Sequence, residues 1–149
     1  EQVRDLSVKI NRAITRNALR SAATVIKAAA RDNLRAQGNG QLAKDLTTSS
    51  RVSHTEGQAR IGAKMRTLLG RLGHLIEHGT KPHLIKPRRK KGLADTQAGL
   101  YFGSRVNHSG TRPRPWLDPV IAQTEGEVKR AFEDAINAEI AKAQVKGKL

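Results

Sequence analysis

The sequence predicts an α+β chain: a long N-terminal helix, a small and mostly antiparallel sheet with an extended basic β-arm, and an amphipathic C-terminal helix. Three observations carry this. Apolar residues recur at steps of three and four over the first 36 positions and again over the last 30. Between them lie short alternating runs bounded by Gly and Pro. A single dense basic segment, "KPRRKK", interrupts the middle of the chain.

The first helix is read over residues 3 to about 36. Val3, Leu6, Ile10, Ile14, Ala18, Ala22, Val25, Ala29 and Asn33 follow helical spacing, with Leu19 and Ile26 widening the stripe. Arg4, Lys9, Arg12, Arg16, Arg20, Lys27 and Arg31 fall largely off it. At about 1.5 Å per residue such a helix spans about 50 Å, and "GNG" at Gly38–Gly40 ends it. Two short strands follow, Arg51–His54 and Gln58–Ala63, around a turn at Thr55–Gly57. Thr67–His78 returns to helical spacing with Leu68, Leu69, Leu72, Leu75 and Ile76; Gly70 and Gly73 weaken it and Gly79 stops it.

From Thr80 to about Val106 the chain is basic and irregular, and is read as an arm: two strand segments joined by an extended loop, with Leu100–Val106 as the second strand. Its five charges at Lys86, Arg88, Arg89, Lys90 and Lys91 repel one another, so this part of the arm is expected to be extended and to order against a partner. The last helix carries Val128, Phe132, Ala135, Ile136, Ile140 and Ala143 on one face. Two start signals compete: Asp118 followed by Pro119, and the capping box Thr124-x-x-Glu127. This helix is expected to pack across the sheet, and residues 144–149 to fray. The whole chain, 1–149, is read as one domain with 80–106 as its projecting arm.

Composition narrows the function. The 149 residues are 37% hydrophobic, much of it alanine, with four aromatic residues, Tyr101, Phe102, Trp116 and Phe132. Such a core is thin, and neighbouring subunits are expected to contribute stability. Without cysteine there is neither a disulfide framework nor a thiolate metal site. No apolar run approaches the roughly 20 residues of a membrane helix, no signal peptide is visible, and cytoplasmic synthesis is the default. With 28 Lys and Arg against 13 Asp and Glu, net +15, the charge favours a polyanionic partner, nucleic acid or an acidic protein surface.

The motifs argue against an enzyme. His74, Glu77 and His78 spell H-x-x-E-H, an inverted zinc-peptidase pattern, and two histidines at i, i+4 can grip one ion. The pattern lacks a third ligand, contains Gly73, and ends at Gly79 on a fraying last turn, so the histidines are read as surface or cap residues. No metal, no cofactor and no catalytic residue is expected. There is no nucleophile elbow, no phosphate-binding loop and no dinucleotide fingerprint. "KPRRKK" lacks the interleaved aromatics of a single-strand platform, so any contact with DNA would be with phosphates.

An internal echo is more informative. "HGTKPHLIKP" (His78–Pro87) is matched by "HSGTRPRPWLDP" (His108–Pro119): His, Gly-Thr, a basic residue, Pro, then apolar residues and a second Pro. Each reads as a stiff corner, with glycine permitting the turn and proline fixing φ. The corner residues are Gly79, Thr80 and Pro82 in the first and Gly110, Thr111, Pro115 and Trp116 in the second.

With these corners between a long N-terminal helix and an amphipathic C-terminal one, the chain resembles the tail-completion or head–tail joining proteins of long-tailed double-stranded DNA bacteriophages. Glu77, Gly79, Thr80, Pro82, His83, Ile85 and Pro87 match the first corner of that family, and His108, Gly110, Thr111, Arg114, Pro115, Trp116 and Leu117 the second. The departures are His78 between the acid and Gly79, and Ser109 where proline is common. The resemblance implies a structural virion protein of the neck, made in the host cytoplasm. It implies a homo-oligomeric ring, expected as a hexamer, that joins or seals the tail to the head around the DNA channel. Its partners would be head-connector and tail-tube or tail-terminator proteins, with non-specific contact to double-stranded DNA and none to membrane. The interface or channel residues expected on the arm are Lys81, Leu84, Ile85, Lys86, Arg88, Arg89, Lys90 and Lys91. The competing reading is a free-standing basic nucleic-acid-binding protein, which predicts tight, salt-sensitive binding by the isolated monomer.

Overall fold

The computed structural model describes residues 2–53, 56–87, 92–95 and 98–145, with the side chains of residues 2–7 and 95 left aside. The chain is α+β, in the order α1 (Gln2–Ala36), α2 (Gly40–Lys44), β1 (Leu46–Val52), β2 (Gly57–Ala63), α3 (Leu68–His78), β3 (His83–Ile85), β4 (Leu93–Asp95), β5 (Leu100–Gly103), β6 (Val106–His108) and α4 (Asp118–Val145). It divides into two compact units. One comprises residues 1–73 and 116–149, the other residues 74–115.

In the first unit α1 is the spine. Ala18, Ala22, Ala23, Ala30 and Leu34 are its buried residues, and alanine at four-residue steps lets a second helix approach closely. That helix is α4. Asn17 Nδ2 donates to Glu139 Oε2 at 3.2 Å near the end of α4, and Asn33 Nδ2 donates to the Trp116 carbonyl at 3.2 Å just before its start. The two helices therefore run antiparallel. The expectation that the C-terminal helix packs across the sheet is corrected: its main packing partner is α1. Its small inward residues suit the alanine stripe of another helix.

The competing start signals resolve in favour of Asp118-Pro119. Val120 and Ile121 N–H donate to the Leu117 carbonyl at 3.1 and 3.2 Å. Thr124 is buried inside the helix and its hydroxyl donates back to the Val120 carbonyl at 2.8 Å, so it is not free to cap. At the same end of the helix pair, α1 closes as the sequence predicts. Gly38 N–H donates to Arg35 O at 3.0 Å and Asn39 N–H to Leu34 O at 2.8 Å, the paired bonds of a Schellman turn.

The β1–β2 hairpin lies along α1. Its antiparallel register runs from Leu46↔Ala63 to Val52↔Gly57. The first strand begins five residues before the predicted Arg51, because its inward positions Leu46, Thr48, Ser50 and Val52 include only two apolar residues. The predicted strand end His54 and turn residue Thr55 lie outside the described residues. Leu46, Leu42 and Leu34 are the largest fully buried side chains.

The β-structure is divided among three two-stranded antiparallel sheets, β1–β2, β3–β6 and β4–β5, rather than gathered into one. Two of them belong to the second unit. No helix is long and apolar enough to cross a membrane among the described residues.

Candidate functional site: a clasped β-ribbon

The second unit holds two antiparallel strand pairs, β3–β6 and β4–β5, folded from the segment predicted to be an arm and together called the ribbon. It starts where α3 ends. Gly79, at φ +69°, turns the chain out of the helix, and Gly110, at φ +84°, turns it on the return. The two corners that echo each other in sequence bond to each other. Thr80 N–H donates to Thr111 O at 3.0 Å, Thr111 N–H donates to Thr80 O at 3.1 Å, and the two hydroxyls lie 3.2 Å apart.

The glycines are required on both sides. A Cβ on Gly79 would strike the Thr111 carbonyl, and one on Gly110 would strike the Thr80 carbonyl. Each glycine thus makes room for the carbonyl of the other corner. Arg114 N–H closes the return by donating to the Ile76 carbonyl at 2.8 Å, in the last turns of α3.

Beyond the clasp the strands continue in nested register, His83↔His108, Leu84↔Asn107 and Ile85↔Val106. The paired histidines stack with ring centroids 5.0 Å apart. His83 Nδ1 lies 2.9 Å from the Lys81 carbonyl, so it carries the proton, whereas His108 Nδ1 accepts the Gly110 N–H at 3.0 Å. Each histidine thus bonds backbone on its own side of the clasp, His83 Nδ1 as donor and His108 Nδ1 as acceptor. Further out the chain pairs again as β4–β5, with Asp95↔Leu100, Ala94↔Tyr101 and an irregularity at Leu93/Ala94. The expected loop between two arms is thus partly a second hairpin, and Leu100–Val106 is two strands, broken after Gly103.

The ribbon leaves large apolar side chains in solvent. Tyr101 is 71% exposed, Leu100 53%, Phe102 51% and Leu84 41%. Ile85, Leu93, Ala94, Phe102 and Val106 line an apolar groove of about 310 Å³. Lys81, Lys86, Arg105, Arg112 and Arg114 are exposed in the same unit. Of the predicted arm residues, Lys81, Leu84 and Lys86 are in solvent and Ile85 is half-buried. Arg88, Arg89, Lys90 and Lys91 lie outside the described residues. Leu100, Tyr101 and Phe102 were missed as surface residues, since three apolar residues in a row read as a buried strand.

The remaining corner residues divide between the units. Pro115 is exposed, while Trp116 is 4% exposed and belongs to the helical unit, where its indole N–H donates to the Gly73 carbonyl at 3.2 Å. In the H-x-x-E-H segment, Glu77 is buried while His74 and His78 are exposed. No group of three or more His, Cys, Asp or Glu side chains able to hold a metal ion occurs among the described residues. No protein-family model matches this chain, and no curated protein or solved structure matches it.

Proposed function

We propose that the chain is a structural virion protein that joins or seals a phage tail to the head, forming a homo-oligomeric ring around the DNA channel at the neck. The observation that carries this reading is the ribbon. A two-stranded hairpin is marginal in water on its own, and this one exposes Leu84, Leu100, Tyr101 and Phe102 beside an apolar groove. Aromatic residues in such a setting are anchors for a protein partner. The two Gly-Thr corners that resemble the neck proteins in sequence are also the parts that fix the ribbon's base. The partners under this reading are further copies of the chain, head-connector proteins and tail-tube or tail-terminator proteins.

The ribbon's basic residues have two outlets, phosphates in the channel or acidic surface on a partner. Apolar anchors beside the charges favour protein, and a channel through which DNA slides should not grip it strongly. The competing reading, a monomeric nucleic-acid-binding protein, draws on the net charge of +15.

Separately purified heads and tails, mixed with the wild-type chain or its variants and counted by electron microscopy, test the proposal. Tyr101→Ser with Phe102→Ser should reduce joining by at least the effect of one aromatic hot spot, on the order of thirty-fold in affinity. Replacing Lys86, Arg88, Arg89, Lys90 and Lys91 with Ser should also prevent joining. Normal joining with DNA leakage alone would make the arm a DNA contact, and normal joining by both variants would remove the ribbon from the interface.

A further inference from the structure

The outer face of the β1–β2 hairpin, in the helical unit, carries a second surface. Strand alternation sends Leu46, Thr48, Ser50 and Val52 toward α1 and leaves Thr47, Ser49 and Arg51 exposed. On the partner strand Gln58 and Arg60 are exposed. The register sets Ser49 opposite Arg60 and Arg51 opposite Gln58. The two arginines therefore stand on a diagonal of one face, a relation that places Cβ atoms about 7–8 Å apart.

Neither guanidinium has a carboxylate partner among the described residues, and neither strand contains an acidic residue. The closest acid in sequence, Glu56 at the turn, accepts a hydrogen bond from Gln58 Nε2 at 3.4 Å. Ser49, Ser50, Arg51, Gln58 and Arg60 line a depression of about 180 Å³. Two like charges held on an exposed strand diagonal, without an anion between them, feel a modest mutual repulsion across solvent. An external anion would relieve it.

The geometry points to a phosphate-backbone contact: Arg51 and Arg60 engage phosphates of double-stranded DNA, with Ser49, Thr47 and Gln58 adding neutral donors. The residue types decide between nucleic acid and an acidic protein. A protein interface needs an apolar centre, and this face has none, in contrast to the ribbon. Arg, Ser, Thr and Gln are the side chains that hydrogen-bond phosphate oxygens. The face also has no aromatic ring to stack on a base, so it reads charge and spacing rather than sequence. The inference does not rest on the neck ring, since a monomeric chain would carry the same face.

The test is the salt dependence of binding of the full chain to a short DNA duplex of arbitrary sequence. Each phosphate contact contributes about 0.9 to the slope of log K against log salt concentration. Arg51→Ser with Arg60→Ser should lower that slope by about 1.8 and weaken binding on the order of fifty-fold at about 0.1 M salt. Arg51→Lys with Arg60→Lys should keep the slope. Removing two charges elsewhere, Lys129→Ser with Arg130→Ser on α4, should leave it unchanged. Circular dichroism checks that each variant is folded, and the lysine pair provides a second comparison if the serine pair is not. Equal slopes for wild type and the serine pair, or equal losses in the hairpin and α4 variants, would overturn the site. So would a poly-glutamate chain that binds as tightly as the duplex and is lost in the same hairpin variant, which would assign the face to an acidic protein.

Discussion

Trp116→Ala is expected to cost about 3–5 kcal/mol, the loss that follows truncation of a buried tryptophan. The ring is 4% exposed and is the only large aromatic residue in the buried core among the described residues. Its indole N–H satisfies the Gly73 carbonyl, and its own carbonyl receives Asn33 from α1. The side chain therefore ties α3, through Gly73, to the segment that begins α4, while the backbone carbonyl that receives Asn33 is one any residue would offer. Stability in small domains totals about 5–15 kcal/mol, and each kcal/mol shifts the melting temperature by about 2–4 °C at this length. A fall of about 6–20 °C is expected by circular dichroism. Trp116→Phe keeps most of the volume and loses the indole hydrogen bond, while the Gly73 carbonyl keeps its partner inside α3, and should cost about 0.5–1.5 kcal/mol. An unchanged melting curve for the alanine variant would show that the ring does not hold the unit together.

The second large effect is expected at the clasp. Gly79→Ala and Gly110→Ala each place a Cβ against a carbonyl that is itself bonded across the clasp. Positive φ alone costs an L-residue about 1–2 kcal/mol, and the collision forces the Thr80–Thr111 pair apart. Gly103→Ala is the matched control: its φ is +87°, and nothing lies within 4 Å of the added Cβ. Amide hydrogen exchange at Thr80 and Thr111 should accelerate by at least tenfold more in the two clasp variants than in the control, about 1.4 kcal/mol beyond the shared backbone strain. Equal acceleration in all three would mean that close approach of the corners contributes nothing.

Helix α1 was legible because 35 residues give the helical period many repeats, and Gly38 marks its end. The two corners were legible as corners because glycine, threonine and proline recur at matching offsets. Their reciprocal bonding was not legible: sequence reports local turn chemistry, whereas Thr80 and Thr111 are 31 positions apart. The outer hairpin escaped for a different reason. A strand of three residues, such as β4, is too short for a period of two to register, and its pairing depends on what stands opposite. Strand β1 was read too short because Thr48 and Ser50 occupy inward positions where apolar residues signal a strand. Of the site, the basic character of Lys81 and Lys86 was plain in the sequence. The exposure of Leu100, Tyr101 and Phe102 was not, since hydrophobicity alone predicts burial and only the three-dimensional pairing reveals a surface.

Whether the chain assembles is the most direct test of the proposed role. The native mass of the purified chain, by light scattering across a range of concentrations and with isolated heads or tails added, decides it. A closed assembly at a fixed multiple of 16.3 kDa is expected, formed alone or on the head or tail, and lost with Tyr101→Ser and Phe102→Ser. A single 16.3 kDa species under every condition, binding neither heads nor tails, would contradict it.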